Sequence, residues 1–187
     1  MRQVTHIGTG RAKVERVASN RRVVQADGSI RGRYSSTKDP ALQAAPEGLI
    51  DPWLRTISFH DDATPLAELH YYATHPQSFY GDGRVTYDVP GIARERLEKQ
   101  SGVFQIYFNG CGGNIGMGKY NDGTPAAREA LSGRLFDAMA RSAAEIKRQP
   151  VARISWKTTS VEFPLRADAS LAPSARVKSC NRPAQGG

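Results

Sequence analysis

The chain has no long hydrophobic run, few cysteines and no apolar leader. None of its apolar stretches approaches the roughly 18 residues that a membrane-spanning helix needs, which argues against a span. Residues 1–22 lack the apolar core of a signal peptide, so we expect no export signal in this sequence. The two cysteines, Cys111 and Cys180, form no C-x-x-C pattern, which argues against a zinc ribbon or a disulfide framework.

The charge balance is basic, although no basic-aromatic recognition motif accompanies it. Lys and Arg together number 26 and Asp and Glu 18, which gives a formal net charge of +8 over 187 residues. Nucleic-acid-binding domains share such a balance, but they gather the charge on one face or helix. Here the arginines are spread along the chain, so we predict a basic surface and no nucleic-acid partner.

Strand-like and helix-like patterns alternate along the chain, which predicts an α/β fold with a mixed β-sheet flanked by helices. A turn at Asp27-Gly28 predicts a short hairpin, and the runs "LRTISF" and "LAELHYYATH" predict a second hairpin with a longer loop. In "VPGIARERLEKQSG" we predict a helix that Asp88 caps and Gly102 ends.

The strongest helix signal covers residues 124–148. Thr124 suits its cap and Pro125 its first turn, and an apolar stripe follows at spacings of three and four. Before this helix "VFQIYF" predicts a buried strand, and after it "VARISWKTTSVEFPL" predicts a long strand with a bulge. Strand, helix and strand over residues 103–163 would then form a crossover unit.

Two segments show little periodicity. The proline-punctuated "STKDPALQAAPEGLIDP" predicts an ordered loop in which Leu42, Leu49 and Ile50 need burial. The last segment is rich in small residues, Pro and Gly, which is typical of a disordered tail. We therefore predict one domain over residues 1–166 and a disordered tail over residues 167–187.

The segment "FQIYFNGCGGNIGMGKYNDG" contains a near match to a phosphate-binding loop. Gly113 to Lys119 fits G-x-x-x-x-G-K, and a strand precedes it as that loop requires. However, Tyr120 stands where a Ser or Thr would bind magnesium. The turn "YNDGTP" also delays the next helix, so its N-terminus would not face a phosphate. We therefore predict no nucleotide site.

Two other interpretations of this glycine turn remain. Cys111 occupies the strand-to-turn position of a nucleophile elbow, but a reactive thiolate needs a base such as His. Alternatively, Gly110, Gly112 and Gly113 let the backbone approach another segment, and the turn lines a pocket at the C-terminal end of a strand. We favour the second, structural interpretation.

Among the four histidines, His75 has the most suggestive position. It ends a predicted strand in "YYATHP" and precedes a glycine loop. His70 lies five residues earlier, and an odd separation along a strand places the two side chains on opposite faces. A catalytic zinc normally takes three protein ligands, and this sequence offers no obvious set of three.

Several motifs together resemble one family. The segments "YYATHPQSFYGDGRVTYDVPGIARERLE" and "FQIYFNGCGGNIGMGKYND" resemble the catalytic domain of neutral/alkaline non-lysosomal ceramidases, in particular their bacterial ceramidase-like relatives. "ASNRR" and "KDPALQAAPEGLIDP" resemble the same group, and the similarity spans residues 7–165. The order and spacing of these motifs carry the resemblance, since each motif alone is weak.

The resemblance implies a zinc-dependent amidohydrolase that cleaves the amide between a fatty acyl group and a sphingoid base. It implies that His75 is a zinc ligand and that Arg21 is an active-site arginine. It also implies that Asn114 orients water or substrate and that Gly113 and Gly116 border the bound substrate. The implied partner is a lipid-like or other amide small molecule, and relatives of this kind are often exported.

This chain departs from the family pattern in two ways. The family's other zinc ligands come from an upstream His-rich motif and from a downstream Glu and Tyr, which are missing here. We therefore expect a fragment of the catalytic domain that binds zinc weakly or not at all by itself. The family also has an active-site Ser shortly after the Gly-Asn of the turn, where this chain has Gly116. The substrate is thus expected to differ from ceramide. A catalytically inactive binding or scaffold domain is the alternative.

Overall fold

The structure, a computed structural model, describes residues 2–162. Within that range lie nine strands and three helices. They are β1 (His6–Lys13), β2 (Ser19–Asn20), β3 (Arg22–Val24), β4 (Ile30–Gly32), α1 (Pro40–Ala44), β5 (Trp53–Asp61), β6 (Thr64–Tyr72), α2 (Asp88–Ser101), β7 (Phe104–Asn109), β8 (Ile115–Gly116), α3 (Pro125–Ala144) and β9 (Lys147–Pro150). They all belong to the compact unit Met1–Ala152. The predicted tail, Phe163, Leu165 and Cys180 lie outside the described residues.

The centre of the fold is a five-stranded sheet with the order β7-β6-β5-β1-β9. β6 and β7 run parallel, whereas each other pair of neighbours is antiparallel. α2 connects β6 to β7 and so forms the crossover that a parallel pair requires. The mixed sheet with its helices confirms the predicted fold class.

The start of α3 and the end of α2 lie where the sequence predicts them. The prediction that Asp88 caps α2 is wrong, because Asp88 is the first helical residue and the cap position is held by Tyr87, whose side chain makes no capping hydrogen bond. Thr124 accepts a hydrogen bond from the backbone N–H of Ala127 at the start of α3, and Pro125 occupies its first turn. α2 ends at Gly102, which adopts the left-handed conformation with φ +68°. None of the helices within residues 2–162 is both long and apolar enough to cross a membrane.

The apolar stripe of α3 forms the core with one face of the sheet. Leu131, Leu135 and Met139 are fully buried, and they belong to one cluster with Leu54 of β5 and Tyr72 of β6. Burial of each such side chain contributes roughly 1.5–3 kcal/mol relative to exposure. This burial fixes the register of the strands, because a shift by one residue would move the apolar side chains to the opposite face. It thereby also fixes which residues follow each strand at the edge of the sheet.

β7 differs from the prediction of a buried strand. It lies at an edge of the five-stranded sheet, where the even-numbered Phe104 and Phe108 lie on the exposed face and the odd-numbered Gln105 is buried. Phe104 is 56% and Phe108 is 42% exposed, and Phe108 stacks on Tyr71 of β6 with ring centroids 5.0 Å apart. A hydrophobic β-branched and aromatic run indicates a strand, but it does not reveal whether both faces of that strand are covered.

The prediction for the region after α3 is wrong. α3 ends at Ala144, β9 covers Lys147–Pro150, and residues 153–162 contain neither a helix nor a strand. β9 pairs antiparallel with β1 at the far edge from β7, so β7, α3 and β9 form no parallel crossover. Near its end α3 packs closely on β1, since a Cβ at Gly10 would overlap the carbonyl oxygen of Ser142.

The loops also differ in detail. The predicted hairpin around Gly28 is confirmed, with β3 paired to β4. β5 and β6 form the other predicted hairpin, but only two residues connect them, with Asp62 at φ +50° in place of the expected longer loop. The proline-punctuated loop contains the short helix α1, and it buries Leu42 while leaving Leu49 89% exposed.

Candidate functional site

The glycine turn that follows β7 is tied to the segment around Arg21. β8, inside the turn, pairs with β2 through Ser19 opposite Gly116 and Asn20 opposite Ile115. The ladder continues through the backbone N–H of Arg21, which donates to the carbonyl of Asn114 at 2.7 Å. Two segments that are more than ninety residues apart in sequence therefore meet at the C-terminal end of β7.

His75 contacts the glycine turn at Ile115 through both its backbone and its ring. Its backbone N–H donates to the carbonyl oxygen of Ile115 at 3.1 Å, and its Nδ1 lies 2.8 Å from the same oxygen. A carbonyl oxygen only accepts hydrogen bonds, so Nδ1 carries the proton and the Nε2 of the neutral ring keeps its lone pair. This is the tautomer and orientation of a histidine that ligates a metal through Nε2.

His75 and Arg21 line the same cleft, which has a volume of about 500 Å³. The guanidinium carbon of Arg21 lies 5.6 Å from the centre of the Tyr34 ring, within the range of a cation–π contact. Among residues 2–162 that guanidinium makes no hydrogen bond, so its five donors are available to a ligand. The complete lining consists of Arg21, Tyr34, Ser35, Ser36, His75, Gln77 and Tyr80.

The other predicted site residues lie around the cleft rather than in it. The side-chain oxygen of Asn114 accepts from Arg22 at 3.0 Å in an exposed position, whereas its backbone carbonyl holds Arg21. Gly113 is exposed, with open space where a side chain would be. Gly116 is buried directly behind the cleft, where a Cβ would lie 2.8 Å from the carbonyl oxygen of Tyr34 and 3.0 Å from Cγ of Arg21.

The lysine of the phosphate-loop pattern has a structural role. Lys119 donates to the carbonyl oxygens of Gln43 and Ala45 at 2.5 and 2.6 Å, and burial lowers its pKa. Tyr120 donates to the carboxylate of Glu47 at 2.5 Å, and burial, then this hydrogen bond, raises the pKa of the phenol to about 12. Lys119 and Tyr120, which lie at the end of the phosphate-loop pattern, therefore hold the end of α1 and the loop that follows it.

A buried arginine that the sequence analysis did not single out holds the same loop. Arg33 is 1% exposed, and its guanidinium donates to five carbonyl oxygens at 2.6–3.1 Å. The acceptors are the carbonyls of Asn20, Leu42, Ala45, Pro46 and Glu47. Because Asn20 precedes Arg21, Arg33 fixes the backbone that presents Arg21 to the cleft. Nothing distinguishes Arg33 in sequence from its exposed neighbours Arg22 and Arg31.

Neither the cysteine nor the remaining histidines complete a catalytic set with His75. Cys111 is exposed, and none of the hydrogen bonds described here joins it to a histidine. His70 is fully buried between Thr56 and Gln105. Within residues 2–162, no group of three or more His, Cys, Asp or Glu could hold a metal ion. The described residues therefore fit a zinc site as the source of one ligand, His75, and do not complete one.

Comparison with known proteins finds similarity in structure but not in sequence. No family model and no curated protein matches the chain. Two solved structures share its fold, a ceramidase complexed with C2 and the neutral ceramidase from Pseudomonas aeruginosa. The TM-score is 0.54 for both, and the sequence identity is 15% and 17% respectively. Each match covers 75% of this chain but only 22% and 23% of the ceramidase.

These matches confirm, at the level of the fold, the resemblance that the sequence motifs indicated. The aligned part spans less than a quarter of either ceramidase, so most of each ceramidase has no counterpart in it. At such low identity the similarity concerns the backbone and leaves the chemistry to be argued from the residues themselves. The matched part of the chain therefore has a fold similar to part of a neutral ceramidase.

Proposed function

We propose that this chain is a segment of the catalytic domain of a zinc-dependent hydrolase that cleaves an N-acyl amide other than ceramide. The observation that carries the proposal is that His75 and Arg21, which lie 54 positions apart in sequence, line one cleft of about 500 Å³. These are the two residues that the ceramidase resemblance marks as metal ligand and active-site arginine. The shared fold supports the transfer of these roles.

Each residue has a separate task in this proposal. His75 presents Nε2 to the metal because Ile115 holds the opposite ring nitrogen. Zinc, when bound by a complete ligand set, lowers the pKa of its water to about 7 and so supplies hydroxide at neutral pH. Arg21 places in the cleft a guanidinium that makes no hydrogen bond within the described residues 2–162, and this group can bind the negative charge of an oxyanion or a carboxylate.

Gly116 is the reason for proposing a substrate other than ceramide. In this chain the position that the family pattern gives to a serine packs against the backbone of Tyr34, with no room for a side chain. The turn therefore contributes backbone rather than a hydroxyl to the cleft. The same observation favours the alternative, a binding or scaffold domain that keeps the fold without the chemistry.

Metal analysis of the product of the longer reading frame tests the proposal. The frame is extended until it includes a His-x-His motif upstream and the Glu and Tyr downstream. We expect about one zinc per chain, lost in His75→Ala and retained in His6→Ala, because His6 lies in β1 outside the cleft. Zinc that survives His75→Ala would exclude the ligand assignment. A gene whose flanks lack those motifs would favour the scaffold alternative.

A further inference from the structure

Opposite walls of the cleft are joined from behind by one buried side chain. Asn121 is fully buried, and its amide nitrogen donates to the carbonyl oxygens of Ser35 and Ser78, both at 2.8 Å. Ser35 belongs to the wall that contains Tyr34, and Ser78 lies in the wall that contains His75 and Gln77. This carboxamide therefore links the two walls, which are also joined at the cleft surface by the hydroxyl of Ser35, a donor to the side-chain oxygen of Gln77 at 3.3 Å.

The orientation of this carboxamide is fixed by its own oxygen. The side-chain oxygen of Asn121 accepts from the backbone N–H of Gly123 at 3.0 Å, and its backbone carbonyl accepts from Thr37 at 2.9 Å. Both donors and the acceptor of the amide are thus engaged with protein. A flipped amide would leave buried carbonyls without donors, so only one orientation is stable.

Ser78 is held from its other side by a buried carboxylate. The carboxylate of Asp88 accepts from the backbone N–H of Ser78 at 3.0 Å and from its hydroxyl at 2.6 Å. Ser78 is 1% exposed and uses all three of its polar groups, because its carbonyl faces Asn121. The wall between His75 and Tyr80 is thereby anchored at its midpoint.

Asp88 adopts an unfavourable backbone conformation to make these contacts. Its φ is +53°, although it is the first residue of α2 and was predicted to cap that helix. A non-glycine residue in this region costs roughly 1–3 kcal/mol and persists where surrounding contacts enforce it. Tyr34, in the opposite wall, also has a positive φ, of +26°. Positive φ values thus occur at Tyr34, which lines the cleft, and at Asp88, which holds Ser78 from behind.

We propose that Asn121, Ser78 and Asp88 form a clasp that sets the separation between the His75 wall and the Tyr34 wall. Asn121 is then the positioning residue of the cleft. It touches no ligand, but it fixes the walls between which one must fit. A role of this clasp in substrate selection rests on the proposed function. The effect of the clasp on the spacing of the two walls does not.

The test compares Asn121→Ala and Ser78→Ala with the matched control Ser132→Ala in the full chain. Ser132 is as buried as Ser78, and its hydroxyl also donates one hydrogen bond, to the carbonyl of Arg128 at 2.8 Å, but it lies on α3 outside the cleft. The measurements are amide hydrogen exchange over residues 76–80 and the ring ¹⁵N signals of His75. Neither measurement requires zinc or substrate.

We expect both clasp variants to speed exchange over residues 76–80 about five- to tenfold and to shift the His75 signals. Ser132→Ala should lower the melting temperature without either local change. Should Asn121→Ala fail to fold, Ser78→Ala still tests the Asp88 side of the clasp, since it removes the hydroxyl bond to Asp88 and keeps the backbone contacts. The clasp is refuted if Ser78→Ala leaves exchange and the His75 signals as in the unmodified chain. It is also refuted if Ser132→Ala produces the same local changes.

Discussion

The Nδ1 atom of His75 lies 2.8 Å from the carbonyl oxygen of Ile115, the residue that starts β8 inside the glycine turn. This contact joins the end of β6 to the end of β7, which are parallel neighbours in the sheet. The turn thus acts on the ring of His75 by orienting it. The glycine turn, the most conspicuous motif of the sequence, thus serves to position His75.

The two central histidines should differ in tautomer. His75 should carry its proton on Nδ1, because that atom faces a carbonyl oxygen. His70 should carry it on Nε2, which lies 2.6 Å from the side-chain oxygen of Gln105. Long-range ¹H–¹⁵N spectra near pH 8 distinguish the two tautomers, and His75→Gln assigns the signals. A protonated Nε2 on His75 would contradict its proposed orientation for a metal.

Local signals in the sequence predicted the elements but not their environment. Thr124, Pro125 and the stripe through Leu131 were sufficient for α3, since capping and periodicity depend on neighbouring residues. Whether Phe104 is covered depends on what packs against the far face of the sheet, which no local pattern encodes. The close contact of α3 with Gly10 joins residues more than 130 positions apart, which no local pattern encodes either.

The cleft itself was predictable only in part. His75 and Arg21 were identified through motif resemblance, and the structure places them in one cleft. The links that Asn121 and Asp88 make to Ser78 and Ser35 were not predicted, because these partners lie elsewhere in the sequence and are bound largely through backbone groups. Any residue type can supply a backbone carbonyl or N–H, so the sequence contains no trace of such a contact.

A buried carboxylate should make stability depend on pH. Burial raises the pKa of Glu68, and the hydrogen bond from Gln105 opposes this effect only in part. The unfolded carboxyl ionises above about pH 4.3, so the folded state is penalised as the pH rises from there, and fully so above the folded pKa. Glu68→Gln should therefore melt at a higher temperature than the unmodified chain at pH 8, and this gain should shrink toward pH 4.

Thermal melts followed by circular dichroism across that pH range provide the measurement. Glu15→Gln is the control, because Glu15 is exposed and its replacement should change the melting temperature little at any pH. A Glu68→Gln variant that melts below the unmodified chain at pH 8 would show that the carboxylate is stabilised rather than penalised by its surroundings.

Arg33 should be among the residues least tolerant of conservative replacement. A lysine ammonium cannot reach five carbonyls arranged around a planar guanidinium, so Arg33→Lys leaves at least two buried oxygens unpaired. At about 1–3 kcal/mol each, we expect a loss of about 3 kcal/mol or more in the free energy of unfolding. Urea denaturation measures it. Arg31→Lys is the control, since its pair with Asp39 is half-exposed and should cost less than about 1 kcal/mol.

A serine at position 116, as the ceramidase pattern has, should destabilise the fold of this chain rather than create a site. A Cβ at position 116 would lie 2.8 Å from the carbonyl oxygen of Tyr34, which is backbone and cannot rotate away. Gly116→Ser should therefore push Tyr34 and Arg21 apart and lower the free energy of unfolding by about 1–3 kcal/mol. Gly113→Ser is the matched control in the same turn, because a Cβ there meets nothing within 4 Å. Urea denaturation of both variants makes the comparison. Equal stability of the two would mean that the backbone around Gly116 yields easily, and a hydroxyl could then be built into this cleft.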